Sequence, residues 1–183
     1  MSNTDNYLFT SERLGFRGWR DNDLDAMTAI NTDARVMEFF PAVQDRDKTA
    51  DFIKRMQAEQ AARGFCYFAV EELETGMLIG FIGLHEQTFE AAFTPCIDIG
   101  WRLHTAAWGK GYATEGAKRC VQYAFETLHL EKLYAFAPEV NLRSVNVMKK
   151  AGLHFTGTFI HPLLVNDARL KKCVIYEKKL NND

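Results

Sequence analysis

The sequence predicts a single α/β domain: one mixed central β-sheet with helices on both faces. Three observations predict it. Apolar residues switch repeatedly between strand spacing and helical spacing along the 183 residues. The segments run strand, two helices, three strands, helix, strand, helix, two strands, which is an α/β order. The strand, amphipathic helix and strand between residues 96 and 137 have the make-up of a parallel crossover. A chain of this length is about one domain. It buries roughly 70% of its unfolded surface, enough for a core without staples. No repeat, linker or low-complexity tract divides it, so residues 1–183 are read as one unit.

The elements follow in order. Glu12 to Trp19 reads as the first strand. Asp21 to Asn31 reads as a helix, with Asp21 as N-cap and Leu24, Met27 and Ile30 on one face. Thr49 to Arg63 is a second helix, stopped by Gly64. Cys66 to Glu72 and Met77 to Leu84 are strands joined by a turn at Glu74-Thr75-Gly76. The segment Leu78 to Leu84 is apolar on both faces and belongs in the middle of the sheet. Cys96 to Leu103 is a further strand. After the segment Trp108 to Thr114 a helix runs to about His129, with Ala113, Ala117, Cys120, Val121, Ala124, Phe125 and Leu128 on its apolar side. Lys132 to Ala137 is a strand and Ser144 to Ala151 a short helix ended by Gly152. Leu153 to Ile160 and Lys171 to Leu180 are the last strands.

Composition narrows the function. Hydrophobic residues make up 47% and charged residues 25%, an ordinary globular balance that excludes a disordered chain. Lys plus Arg is 22 against 24 Asp plus Glu, so the net charge of −2 draws the chain toward neither nucleic acid nor anionic membrane. No run approaches the length of a membrane span. Cys66, Cys96, Cys120 and Cys173 stand singly, with no histidine at ligand spacing, so no metal site is expected. Free cysteines in apolar runs and a start without an apolar leader make the cytoplasm the expected compartment.

The sharpest chemical signal is Trp108-Gly109-Lys110-Gly111-Tyr112-Ala113-Thr114, where a strand turns into a helix. The first N–H groups of a helix have no internal partners and carry partial positive charge. Glycines let a ligand approach that backbone, and a pyrophosphate suits it. Two glycines also make a plain tight turn. The pattern is neither a Walker loop nor a dinucleotide fingerprint.

Two blocks give the turn a context. Ile97-Asp98-Ile99-Gly100-Trp101-Arg102-Leu103 followed by the turn resembles the acetyl-CoA signature of the GNAT N-acetyltransferases, in the branch of the ribosomal-protein N-terminal acetyltransferases. Trp108 stands where the general pattern has Gln or Arg, as is usual in that branch. Asn141-Leu142-Arg143-Ser144, followed by Met148-Lys149-Lys150-Ala151-Gly152-Leu153, resembles that family's second block, and Ser11-Glu12-Arg13-Leu14 its usual first strand. The similarity spans about residues 8 to 180.

The resemblance implies a GNAT-like fold and transfer of an acetyl group from acetyl-CoA to a primary amine, by direct attack through a tetrahedral intermediate. No metal is implied, and a monomer or a homodimer is expected. The backbone of Trp101 and Leu103 would pair with the pantetheine arm, and an N–H near Leu103 would hold the oxyanion. Amides of Gly109, Lys110, Gly111, Tyr112, Ala113 and Thr114 would hold the pyrophosphate, and Asn141 a pantetheine amide. Asn141 is equally a helix N-cap. Asp98 is the candidate general base, raised toward neutrality by its apolar strand; it is also placed to pair with Arg102. His104 and His161 are alternatives for the base. Ser144 is the candidate acid for the departing thiolate, since the position where many relatives carry tyrosine is Met148; a capping role suits it as well. Lys149 is either a contact to the 3′-phosphate or a solvated lysine. The loop with Glu38, Phe39 and Phe40, together with His161, would receive the amine, which is a protein N-terminus or a small molecule. Two other classes fit parts of the pattern. A non-catalytic acyl-CoA-binding module needs only the coenzyme amides, and a phosphate-binding protein explains the glycine turn but not Asn141 and Ser144.

Overall fold

The structure, a computed structural model, describes residues 6–180. The outer ends of the expected domain, residues 1–5 and 181–183, lie outside the described residues. The strands are β1 (Phe9–Thr10), β2 (Leu14–Arg17), β3 (Tyr67–Glu72), β4 (Met77–Gln87), β5 (Cys96–Leu103), β6 (Lys132–Pro138), β7 (His154–Ile160) and β8 (Lys172–Lys179). The helices are α1 (Leu24–Thr32), α2 (Arg46–Arg63), α3 (Tyr112–Glu126) and α4 (Leu142–Lys150). One eight-stranded sheet has the order β1-β2-β3-β4-β5-β6-β8-β7. Its neighbours are antiparallel except β5 and β6, the crossover pair, joined by α3. Phe52 of α2 meets Phe81 on one face of the sheet, with ring centroids 5.3 Å apart. On the other face α3 packs at Gly116 against Ile82, Leu14 and Phe16. The core is therefore two layers divided by β4, whose Ile82 and Leu84 are fully buried.

The expected elements appear in order, but Asp21 is not an N-cap: Asp21–Asp23 form a 3₁₀ turn ahead of α1, which starts at Leu24, and β4 runs on to Gln87 instead of ending at Leu84. Four further boundaries differ. The first strand is a hairpin of β1 and β2. It stops at Arg17, whose guanidinium turns inward and bonds Asp23 through both terminal nitrogens at 2.7 Å and Glu71 at 2.6 Å. Helix α2 begins three residues early: the Asp45 carboxylate accepts the Lys48 N–H at 2.9 Å and caps it. Helix α3 ends at Glu126 rather than His129. The N–H groups of Thr127 and Leu128 both reach the Tyr123 carbonyl, and His129 takes a left-handed φ of 53°. Helix α4 begins two residues early because Asn141 caps it, its Oδ1 accepting the Ser144 N–H at 3.2 Å. All four cysteines are free and buried, Cys173 included.

Candidate active site

The site forms where the sheet opens. Parallel strands β5 and β6 are in register only at Asp98 and Tyr134, and diverge beyond that point. His104 N–H donates to the Ile79 carbonyl at 2.8 Å, which fixes the alternation of the β4–β5 ladder. In that alternation Trp101 and Leu103 turn their backbone polar groups away from β4, toward the opening. The Leu103 carbonyl accepts the Trp108 indole N–H at 3.0 Å.

The glycine turn lies at the end of this opening. Gly109 and Gly111 have φ of 74° and 84°, and Gly111 is the residue before α3. A Cβ on Gly109 would meet nothing within 4 Å, and one on Gly111 only the Arg13 guanidinium at 3.6 Å. The turn thus presents bare backbone to open space, at the positive end of a 15-residue helix. Arg13 braces it. Its guanidinium donates to the Lys110 carbonyl at 3.1 Å, lies 4.6 Å from the Tyr112 ring centre, and bonds Glu115 of the first helical turn at 2.8 Å. Ser11 Oγ also reaches Glu115, at 2.7 Å. The Ser11 to Leu14 block therefore ties the first hairpin to the start of α3.

A cavity of about 410 Å³ follows the opening and is lined by Trp101, Leu103, Gly109, Gly111, Tyr112, Ala113, Thr114, Asn141 and Ser144. Of the residues expected on the coenzyme side, Lys110 is the exception. Its side chain leans away, 3.8 Å from Glu72. Lys149 is absent from the wall as well, and Lys150 lines it instead, with Arg143 and Arg35. Helical spacing explains this, because 143, 147 and 150 share a face of α4 that 149 does not. Arg143 stacks 4.4 Å from the Trp108 ring.

A second cavity of about 250 Å³ adjoins the first and shares with it Phe39, Phe40, Trp101, Arg102, Asn141 and Ser144. Asp98, Tyr67, Phe89, Phe136, Met148 and His161 complete most of its wall. Asp98 is 4% exposed. Tyr67 Oη donates to its two oxygens, at 2.8 and 2.9 Å, and accepts from Gln87 Nε2 at 3.2 Å. Burial pushes the Asp98 carboxyl up to about 7, against the opposing pull of the Tyr67 hydrogen bond and nearby His85. Gly100 makes the Tyr67 contact possible: its missing Cβ would stand 2.9 Å from the tyrosine ring, which lies across the sheet there.

The expected pairing of Asp98 with Arg102 does not occur. Four residues along a strand share a face but stand about 13 Å apart. Arg102 turns instead to Asn31 Oδ1, at 2.7 Å. His104 caps the turn at Thr105–Ala107, accepting the Ala106 N–H at 3.0 Å, and lies outside both cavity walls. His161 is in the second cavity, 4.5 Å from Phe89 ring to ring, its Nδ1 accepting the Leu163 N–H at 3.2 Å. Burial pulls its basicity down. Glu38 lies outside both walls and pairs with Arg143 at 2.8 Å, so of the loop expected at the acceptor only Phe39 and Phe40 line the site. Tyr67 and Arg13, like Lys150 and Arg35, are residues that sequence reasoning missed. Gly100 inside an apolar strand was the one sign of something crossing it.

A mixed sheet opened between its one parallel pair, with a helix N-terminus at one end and a buried carboxylate in the wall of a side cavity, is the GNAT architecture. The family model described as "Acetyltransferase (GNAT) domain" matches residues 13–154. The chain belongs to the GNAT acetyltransferase family and is an N-acetyltransferase. It is 26% identical over 151 residues to the uncharacterized N-acetyltransferase YnaD of Bacillus subtilis (strain 168), covering 82% of this chain and 84% of the relative. A solved GNAT-family acetyltransferase from Bacillus anthracis superposes with a TM-score of 0.78 at 24% identity, over 93% of this chain and 96% of that one. A spermidine N-acetyltransferase from Vibrio cholerae, solved in complex with CoA and spermine, shares the fold at a TM-score of 0.72 and 19% identity, over 91% and 96% of the two chains.

Proposed function

We propose that this chain moves an acetyl group from acetyl-CoA to a primary amine, with the thioester in the β5–β6 opening and the amine in the adjoining cavity. The observation that carries the reading is the meeting of the two cavities at Trp101, Asn141 and Ser144, beside the buried Asp98. The backbone groups of Trp101 and the N–H of Leu103, all turned away from β4, suit an extended amide-bearing arm, taken up as an added strand. The Gly109–Gly111 turn suits a pyrophosphate, and exposed Arg143 and Lys150 suit further phosphate charge at the rim. A backbone N–H at Leu103 would polarise the carbonyl; such donors contribute about 3–4 kcal/mol to a transition state.

Asp98 takes the proton from the attacking amine. A base near working pH serves this best, and its carboxyl sits at about 7. Ser144 protonates the departing sulfur or orients a water that does. Its side chain is free for this, because its capping contact with Asn141 uses only the backbone N–H. Met148 beside it is buried and carries no proton to give. A passive acyl-CoA-binding module would leave the second cavity and Asp98 without a use.

Saturating acetyl-CoA is expected to raise the melting temperature, because a ligand that binds only the folded chain stabilises it by mass action. NADH and ATP at equal concentration should do much less. No shift and no calorimetric heat would remove the proposal. Ser144→Ala should reduce turnover by about tenfold or less, since a coenzyme A thiolate leaves without full protonation and water substitutes. A loss as large as that from changing the base would make Ser144 indispensable and the water route wrong.

A further inference from the structure

Arg102 is a buried cation with no counter-charge. It is 8% exposed and sits in the walls of both cavities. Its guanidinium is sandwiched between the rings of Phe40, 4.2 Å away, and Phe81, 5.3 Å away. The hydrogen bonds it makes run from Nη1 to neutral oxygens, Asn31 Oδ1 at 2.7 Å and Gln44 Oε1 at 3.4 Å. Its Nε is buried with no partner. Among the described residues no carboxylate pairs with it, whereas the other buried arginine, Arg17, holds both Asp23 and Glu71. Burial pulls Arg102 down only to about 10, so it stays charged at neutral pH. A buried charge without a partner is costly, and the usual remedy is an opposite charge in good geometry. The second cavity has one carboxylate in its described wall, Asp98; besides Arg102 the polar side chains there are Tyr67, Gln87, Asn141, Ser144 and His161, and the rest are aromatic or apolar.

We propose that the acceptor amine carries a carboxylate, bound by Arg102, on an apolar or aromatic body, so that the substrate class is apolar amino acids and similar amino carboxylates. A polyamine would bring further positive charge beside Arg102, with Asp98 as the single carboxylate in the described wall to receive it. The aromatic lining, with Phe89 and Phe136 5.4 Å apart edge to face, suits an apolar side chain. The carboxylate meets the guanidinium and the amine points to the thioester. This inference rests on the acetyl-transfer reading.

The test is thiol release from acetyl-CoA with phenylalanine, leucine and methionine, each beside its own α-amide, and with spermidine. The best amino carboxylate should exceed its amide by about 10²-fold in kcat/KM, the scale of a lost charged hydrogen bond in a site built for it. In Arg102→Gln the two should come within about threefold, and Arg102→Lys should recover part of the preference. Melting curves identify any variant that fails to fold. The wild-type arm uses 3-phenylpropionate as a carboxylate probe, which should raise the melting temperature where phenethylamine does not. Amides or spermidine acetylated as well as the acids, with no shift from 3-phenylpropionate, would overturn the carboxylate site and leave acetyl transfer standing. A shift from 3-phenylpropionate that Arg102→Gln abolishes, with no thiol released by any amine, would keep the carboxylate site and remove the transfer reading.

Discussion

Gly111→Asp should lose acetyl-CoA binding while keeping its fold. The site has a φ of 84°, which aspartate tolerates better than most residues, and a Cβ there finds open space up to Arg13. The backbone cost is of order 1–3 kcal/mol. The carboxylate would stand at the N-terminus of α3, where a pyrophosphate is proposed to bind. Like charges brought together at an interface cost several kcal/mol, which corresponds to an affinity loss of at least about 10²-fold. Gly111→Asn separates charge from shape, because it fills the same space without the charge and should retain most of the affinity. Calorimetry on the three proteins checks this. An aspartate variant that binds as wild type does would move the anion site elsewhere.

Asp98→Asn should lower turnover by roughly 10²–10⁴, the usual range for a positioned acid or base, with acetyl-CoA affinity unchanged. The pH dependence gives an independent reading. Asp98 accepts a proton only when ionised, so the wild-type kcat/KM should fall below pH about 7. That limb should vanish in Asp98→Asn. Tyr67 holds the carboxyl down through its hydrogen bond, so Tyr67→Phe should move the limb to higher pH. Stability follows the same titration. A carboxyl raised above its unfolded value of 3.8 stabilises the fold below that value, and this contribution is lost as pH rises through about 7. The melting temperature of Asp98→Asn should therefore gain on wild type between pH 5 and pH 8. Full activity in Asp98→Asn would assign the base to His161 or to water.

Local rules carried most of the fold. Helical spacing identified α1, α2 and α3, and one run apolar on both faces identified β4 at the centre. The errors sit at ends, where a single capping contact decides: Asp45 for α2, Asn141 for α4. The glycine turn and the wall around it were legible because they depend on backbone and glycine, which a short motif specifies. Asn141 caps α4, one of its two readings, and lines both cavities. Lys150 rather than Lys149 could have been found by counting around the helix. The acceptor side was much less legible. Tyr67 reaches Asp98 only through the registers Tyr67–Gly83 and Gly83–Gly100, which belong to the folded sheet. The solitude of Arg102 is likewise a property of assembly, since a strand that places it on the face of Asp98 also holds the two apart.

The divergence of β5 from β6 has a mechanical meaning. Five strands lie on one side of that seam and three on the other. Past Asp98 no direct pairing joins them, so α3 acts as the strap of a clamshell whose rim is open. An extended ligand lying in the seam would act as a temporary ninth strand, stiffening the whole molecule by completing its sheet. Substitutions that zipped the seam shut would yield a firmer sheet with nowhere to lay the ligand, so at this one line rigidity and activity are set against each other.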